Sequence, residues 1–228
     1  MKTNAVVIGL GIFGRRAAIS LTERDVSVLA IDRSHTLVEE VKDLVDQALI
    51  LDSTDEHALQ EAGIEEIDMA ICAIGNQHVE DAILTTALLS KNGVERILAR
   101  AGNELQERIM YQVGAHEVIN PEEEMAERAA CRLAKPELKE IIPMGGDVSV
   151  AEVTVPDDFI GKSLIKLDVR NRYNVTVIGI RRSPEPQREG DKPEPELILN
   201  ISPEHSFKKG DHLIVLGREE DLNNFPGS

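Results

Sequence analysis

Three glycines near the start of the chain have the spacing of a turn that binds phosphate groups. Gly9, Gly11 and Gly14 follow an apolar run at residues 5–8 and open a segment with helical character. A G-x-G-x-x-G turn between a strand and a helix is typical of dinucleotide binding. We expect Gly9 to allow the tight turn, Gly11 to let a pyrophosphate approach the backbone, and Gly14 to let the helix lie close to the sheet.

An acidic residue follows the second apolar strand. The run at residues 26–31 ends at Asp32, about twenty residues after the third glycine. A carboxylate there accepts hydrogen bonds from the hydroxyls of an adenosine ribose and repels a 2′-phosphate. The pair of features therefore predicts NAD(H), ATP, ADP or AMP in preference to NADP(H). The alternative is a glycine turn that only packs, with Asp32 capping a strand in solvent.

These residues need elements that hold them together, and the first part of the chain supplies them. Apolar strands alternate with helical segments through residues 1–135, which predicts an α/β, Rossmann-like domain with a doubly wound parallel sheet. The carboxyl ends of parallel strands form one ligand crevice, and a helix that begins there presents free N–H groups to an anion. The predicted cofactor-binding residues are Gly9, Gly11, Ile12, Phe13, Gly14, Asp32, Arg33, Asp52, Ser53, Ala73, Ile74, Gly75 and Arg100.

Arg100 is a candidate phosphate ligand. It ends the fifth predicted strand, where a guanidinium can balance phosphate charge in a chain whose net charge is -16. The alternative is a surface salt bridge. Arg15 and Arg16 follow the glycine turn, and their direction stays open.

The character of the chain changes after residue 135. Prolines and glycines cluster at residues 136–147, which predicts a hinge or linker. Strand patterns and one short helix, at residues 162–173, follow in residues 148–228, which predicts a small α+β domain. Residues 184–195 are rich in proline and charge and are predicted to form a loop.

Composition restricts the class of partner. Of the 228 residues, 42% are hydrophobic but only 3% are aromatic, so the core must be built from aliphatic side chains. A net charge of -16 disfavours nucleic acid and anionic membranes as direct partners. No signal sequence is recognisable and no apolar stretch has membrane-spanning length, so we expect a soluble, cytoplasmic protein.

Taken together, the two halves resemble RCK subunits, the TrkA or KtrA proteins that gate bacterial Trk and Ktr potassium transporters. The resemblance extends over nearly the whole chain. It rests on the glycine turn, Ala30–Asp32, Ala73–Gly75, Val113–Ala115 and Ile119–Glu122 in the first domain. In the second domain it rests on Gly161–Leu164, Leu167–Arg170 and Phe207–Val215.

The resemblance implies a regulatory, non-catalytic function. Such subunits assemble from dimers into rings, here expected to be octamers or tetramers, beneath a TrkH- or KtrB-like potassium-translocating membrane subunit. The chain is then cytoplasmic and bound to the inner face of the membrane through that partner. Adenine nucleotides or NAD(H) in the first domain shift the shape of the ring.

Three further expectations come from the resemblance. Glu122 aligns with a family glutamate associated with a divalent or monovalent cation beside the phosphates, although acids in a first helical turn also complement the helix dipole. Ile12 stands where Ktr members commonly have an arginine, which places discrimination of ATP from ADP in doubt. A second ligand, cyclic di-AMP, is implied at Leu164, Ile165, Asp168, Arg170, Asn171 and Tyr173, and the alternative is an ordinary solvated helix.

Two other functions fit part of the sequence. A small NAD-dependent oxidoreductase has the same first domain, but the second domain offers no evident Lys, His or Tyr constellation for proton transfer. A regulator of another cation transporter or antiporter has the same two domains. We therefore predict that the chain is not an enzyme.

Overall fold

The computed structural model describes residues 3–134, 138–182, 195–199 and 201–226. Of the predicted loop at 184–195, all but Pro195 lies outside these residues. The chain divides into two compact units, Met1–Glu124 and Met125–Ser228. No helix among the described residues combines the length and the apolar character that a membrane crossing requires.

A six-stranded parallel sheet forms the centre of the first unit, as predicted. Its strands are β1 Asn4–Ile8, β2 Ser27–Asp32, β3 Gln47–Ile50, β4 Met69–Cys72, β5 Arg96–Arg100 and β6 Glu117–Ile119, in the order β3-β2-β1-β4-β5-β6. Between the strands run helices α1 Ile12–Thr22, α2 His35–Glu39, α3 Glu56–Glu61, α4 Val79–Lys91 and α5 Glu104–Gln112. Helix α6, Pro121–Ala134, follows β6.

The sheet is buried on both faces because its strands are apolar on both. Val6 and Ile8 of β1 pack into one core cluster, whereas Val7 between them packs into a second cluster on the opposite face. The strand order reverses between β1 and β4. Connections leave the sheet in opposite directions at that point, so a crevice opens beyond the carboxyl ends of these strands.

The second unit is built on a five-stranded antiparallel sheet. Its strands are β7 Leu138–Gly145, β8 Val148–Thr154, β9 Thr176–Arg182, β10 Glu196–Leu199 and β11 His212–Arg218, in the order β10-β9-β11-β8-β7. The short helices are α7 Leu164–Leu167, α8 Val169–Tyr173 and α9 Glu219–Asn223. Phe159, Phe207 and Phe225, three of the four phenylalanines of the chain, lie in its core.

The predicted linker at 136–147 is in large part a strand. Residues 138–145 form β7 and pair with β8, while residues 135–137 lie outside the described part of the chain. Gly145 and Gly146 both have positive φ, at 109° and 64°, so they turn a hairpin where we predicted a hinge. Pro143 is compatible with β7 because β7 is an edge strand. The domain limits at 135 and 148 stay a prediction.

The predicted helix at 162–173 is two shorter helices, α7 and α8. Asp168 lies between them with φ 47°, a left-handed conformation that interrupts the helix. The Asn171 side-chain amide donates a hydrogen bond to Asp168 Oδ1 at 2.8 Å. Asp and Asn tolerate this backbone conformation better than other non-glycine residues, which explains the break.

A buried ion pair fixes the start of β11. Asp211, whose side chain is 2% exposed, accepts hydrogen bonds from Arg182 Nε at 2.7 Å, Arg182 Nη2 at 2.6 Å and the Lys208 amide at 2.9 Å. Burial alone raises the pKa of Asp211, but the hydrogen bonds from Arg182 and Lys208 outweigh it and the pKa lies below its ordinary value.

We expect Asp211→Asn to destabilise the second unit by about 3 kcal/mol, since it leaves the Arg182 guanidinium without its anion. Because the folded-state pKa is depressed, the stabilisation by the Asp211 carboxylate is complete above the unfolded-state value of about 3.9 and is lost as pH falls through the lower folded-state value. Urea unfolding of wild type and variant at pH 7 and pH 3 measures this. The difference between them must shrink at pH 3.

Candidate nucleotide-binding site

The glycine turn has the geometry that its spacing predicts. Gly9 has φ 91°, and a Cβ there would lie 2.9 Å from the Ile74 nitrogen. A Cβ on Gly14 would lie 1.8 Å from the Gly9 oxygen, so α1 packs directly on the turn. A Cβ on Gly11 would meet no atom within 4 Å. Gly9 and Gly14 are therefore required by the fold, whereas Gly11 leaves space open at the start of α1.

The start of α1 is suited to an anion. Gly11 is its N-cap residue, and the first turn contains no acidic side chain. The Arg15 amide donates to the Gly11 oxygen at 2.9 Å, so the amides of residues 12–14 precede the first bond of the helix. Such amides, with the positive end of the helix dipole, attract phosphate groups.

Asp32 holds the glycine turn in place. Its Oδ2 atom accepts a hydrogen bond from the Leu10 amide at 2.7 Å, and its Oδ1 atom accepts one from the Ser34 amide at 2.8 Å. Each oxygen of a carboxylate can accept a further bond. Asp32 can therefore anchor the turn and still accept hydrogen bonds from the two hydroxyls of a ribose.

A cleft of about 320 Å³ lies at the carboxyl ends of the strands, within the range of small-molecule sites. Among the predicted residues, those that line it are Gly9, Gly11, Asp32, Arg33, Asp52, Ser53, Ala73, Ile74, Gly75 and Arg100. Sequence reasoning missed further lining residues, namely Ile8, Ser34, Leu37, Leu51, Thr54, His78 and Asp81. Ile8 ends β1 and Leu51 directly follows β3, so their position was the available signal for these two. The other five lie in loops or at helix starts beyond the strands, where the sequence offered no such signal.

Four predicted residues lie elsewhere. Ile12 is 89% exposed at the start of α1, Phe13 is partly buried, and Gly14 lies on the buried face of α1, against the glycine turn. Glu122 lies in the first turn of α6 and lines a second cleft, together with polar residues such as Asn76 and others of the loops after β5 and β6. Their part in binding stays a prediction.

Arg100 and Glu122 form an ion pair with each other. The Arg100 side chain is 16% exposed and lines the first cleft, whereas Glu122 lines the second, so the pair joins the two clefts. The Arg100 Nε atom is buried without a hydrogen-bond partner among the described residues. No three His, Cys, Asp or Glu side chains are grouped to hold a metal ion within the part of the chain that is described.

The β3 edge of the cleft is ordered by short polar contacts. Asp52 Oδ1 accepts hydrogen bonds from the Thr54 hydroxyl at 2.7 Å and the Thr54 amide at 3.0 Å. These two bonds and the nearby charge of Arg33 hold the pKa of Asp52 below its ordinary value, against the opposing effect of burial. The Ser53 hydroxyl lies 2.8 Å from the buried Thr85 hydroxyl of α4. The loop after β3 is therefore tied to α4.

In the second unit, the predicted cyclic di-AMP residues lie on α7 and α8 and between them. Ile165 is 61% exposed, whereas Leu164 packs against the core. Tyr173 also packs against the core, with its ring centroid 5.3 Å from that of Phe225. Arg170 and Asn171 are exposed. Binding of a second ligand there stays a prediction.

Comparison with known proteins gives matches along the chain. The TrkA-N domain matches residues 5–121 and the TrkA-C domain matches residues 150–225. Ktr system potassium uptake protein C of Bacillus subtilis is 31% identical over 225 residues, 99% of this chain and 96% of that protein. Ktr system potassium uptake protein A of Vibrio alginolyticus is 31% identical over 218 residues, 96% of this chain and 94% of that protein. The structure of GsuK bound to ADP has a TM-score of 0.51 and 26% identity, over 59% of this chain and 35% of that chain.

Proposed function

Because the chain belongs to the TrkA family, with a TrkA-N domain followed by a TrkA-C domain, we propose that it is a regulatory subunit of a potassium uptake system whose first unit binds an adenine nucleotide. The family matches confirm the resemblance predicted from the motifs. The Ktr potassium uptake proteins of Bacillus subtilis and Vibrio alginolyticus match almost all of the chain.

One observation carries the nucleotide site. The Asp32 carboxylate accepts a hydrogen bond from the Leu10 amide within the glycine turn, and Asp32, Gly9 and Gly11 line the same cleft. The acid and the open start of α1 are thereby held side by side, as the ribose and the phosphates of one ligand require. The GsuK structure with ADP adds support, since it is similar to part of this chain.

The phosphate end favours ADP, AMP or NAD(H) without strong discrimination of ATP from ADP. Ile12 is exposed at the start of α1 and carries no charge for a terminal phosphate. Arg100 lines the cleft and is the candidate that substitutes for the missing arginine. Its ion pair with Glu122 means that a phosphate and Glu122 compete for one guanidinium, unless a cation lies between the phosphate and the carboxylate. Glu122 is then the ligand of that divalent or monovalent cation.

The nucleotide acts as a signal. A ligand that binds one arrangement of the subunits more tightly shifts the population toward it. Dimers assembled into a ring, a tetramer or an octamer, carry that shift to a TrkH- or KtrB-like membrane subunit, and the chain works in the cytoplasm against that subunit. Cyclic di-AMP is the proposed second input, at Leu164, Ile165, Asp168, Arg170, Asn171 and Tyr173.

A flux assay tests this function. A TrkH- or KtrB-like membrane subunit from the same organism is reconstituted in liposomes, and uptake of rubidium, a potassium tracer, is measured with and without the chain. We expect the chain to change the flux severalfold in a way that depends on ADP, ATP or NAD(H). Asp32→Ala in the same assay must lose the nucleotide dependence while still binding the membrane subunit.

Two outcomes contradict the proposal. If the chain co-purifies with a different cation transporter or antiporter and leaves potassium flux unchanged, the regulated pathway is wrong. If the chain oxidises or reduces a carbonyl substrate with NAD(H) at a rate that Asp32→Ala abolishes, the regulatory assignment is wrong and the site is that of an oxidoreductase.

A further inference from the structure

The residue that follows Asp32 is an arginine whose charge is already paired. Arg33 Nη1 lies 3.3 Å from Asp81 Oδ2, and Arg33 Nη2 lies 3.1 Å and 3.0 Å from the two ring nitrogens of His78. Asp81 is in the first turn of α4, and His78 ends the short helix before it. The contacts therefore join the end of β2 to the start of α4, and Arg33, His78 and Asp81 all line the nucleotide cleft.

A cation at this place has a specific chemical meaning. An arginine near the ribose is what accommodates the 2′-phosphate of NADP(H). The arginines that line the cleft, among the described residues, are Arg33 and Arg100. Arg100 ends β5, three strands away from β2 in the sheet, which is roughly 14 Å at the usual strand spacing. Arg33 is therefore the arginine that a 2′-phosphate at the ribose end would need.

The charges around Arg33 disfavour that phosphate. Asp32, Asp52 and Asp81 contribute three carboxylates against one guanidinium, so the ribose end carries an excess of negative charge. Arg33 and Asp81 are 56% and 36% exposed in their side chains, and exposed ion pairs contribute little to stability. The ion pair can therefore be broken without unfolding the protein. The charges of Arg33 and Asp81 still act on a 2′-phosphate dianion that enters the cleft.

We propose that Asp81 is a positioning residue for ligand specificity: by pairing with Arg33 it removes the cation that would bind a 2′-phosphate, and so reinforces the selection that Asp32 makes for a free 2′-hydroxyl. The inference rests on the nucleotide site of the proposed function. It identifies the ligand class as adenine nucleotides without a 2′-phosphate, and it assigns part of that selectivity to α4, 48 residues from Arg33 in the chain.

The test is a pair of dissociation constants measured by isothermal titration calorimetry with NAD⁺ and NADP⁺ on the full chain. For Asp81→Asn, we expect the ratio of the NADP⁺ constant to the NAD⁺ constant to fall about fivefold relative to wild type, because Arg33 loses its paired carboxylate and keeps only its contacts with His78. Glu80→Gln is the matched control, since Glu80 is exposed in the same turn of α4 and does not line the cleft. Its ratio should stay at the wild-type value.

The double variant Arg33→Gln/Asp81→Asn separates the release of Arg33 from a general change of charge. If Arg33 carries the effect, the double variant returns toward the ratio of Arg33→Gln alone. The inference is overturned if Asp81→Asn moves the ratio no more than Glu80→Gln does, or if the gain persists without Arg33. Wild-type protein that binds neither NAD⁺ nor ADP overturns the nucleotide site itself, and that result is distinguishable because no ratio can then be formed.

Discussion

Asp32→Ala is expected to abolish the thermal stabilisation that adenine nucleotides give to the first unit. The substitution removes the acceptors of the Leu10 and Ser34 amides, at 2.7 Å and 2.8 Å, together with the acceptors for the ribose hydroxyls. Hydrogen bonds to a charged group contribute about 1.5–3 kcal/mol each, so the loss of two ligand bonds lowers affinity on the order of 100-fold or more. A thermal-shift panel of ATP, ADP, AMP, NAD(H) and cyclic di-AMP, each with and without Mg²⁺, measures the effect.

Two controls accompany that panel. Asp43→Ala removes the same charge from an exposed position that does not line the cleft, and it should keep the full response to nucleotides. Stabilisation by cyclic di-AMP, where present, should survive Asp32→Ala, because its proposed residues lie in the second unit. Unchanged affinity for ADP and NAD(H) in a folded Asp32→Ala protein would show that the nucleotide site is misplaced.

Gly14→Ala is expected to have a large effect on the stability of the first unit. Its Cβ would lie 1.8 Å from the Gly9 oxygen and 2.9 Å from the Ala73 Cβ, so α1 must move away from the glycine turn. Overpacking typically costs about 1–3 kcal/mol, and a collision with backbone belongs at or above the upper end. A cost of about 3 kcal/mol lowers the melting temperature by roughly 6–12 °C for a protein of 150–250 residues, the range that includes this chain of 228 residues. Circular dichroism melts measure it.

Gly11→Ala is the matched control for Gly14→Ala. Its Cβ would have no atom within 4 Å, and its φ of -60° suits any residue. We expect Gly11→Ala to melt at the wild-type temperature but to bind nucleotides more weakly, because the methyl group enters the space left for a phosphate. Equal losses of stability in the two variants would contradict the different roles assigned to these glycines.

The sheet of the first unit could be predicted because its determinants are local. Apolar runs, a glycine turn and a following helix repeat along the sequence, and each strand carries its own signature. The second unit was harder at its start. Pro143 and the two glycines after it suggested a linker, yet an edge strand tolerates the proline and a hairpin turn uses the glycines. Local composition does not distinguish these cases.

The residues of the cleft also fall into two groups, those that could be predicted from the sequence and those that could not. Residues at the ends of predicted strands, such as Asp52 and Gly75, could be assigned to it in advance, because parallel strands end at one edge. The partners of its charged residues could not. Asp81 lies 48 residues from Arg33, and Glu122 lies 22 residues from Arg100. Such pairs depend on where two loops meet after folding, and neither sequence neighbourhood contains that information.

The hydrogen bond from the Leu10 amide to Asp32 has a consequence for dynamics. This hydrogen bond holds the glycine turn against the end of β2. The turn is therefore preorganised and loses little conformational entropy when a nucleotide binds. A rigid turn of this kind favours affinity for the nucleotide, but it does not by itself carry a conformational change to the rest of the subunit. We therefore expect a conformational change on ligand binding to begin in the more exposed side chains around the turn, where contacts can be exchanged at small energetic cost.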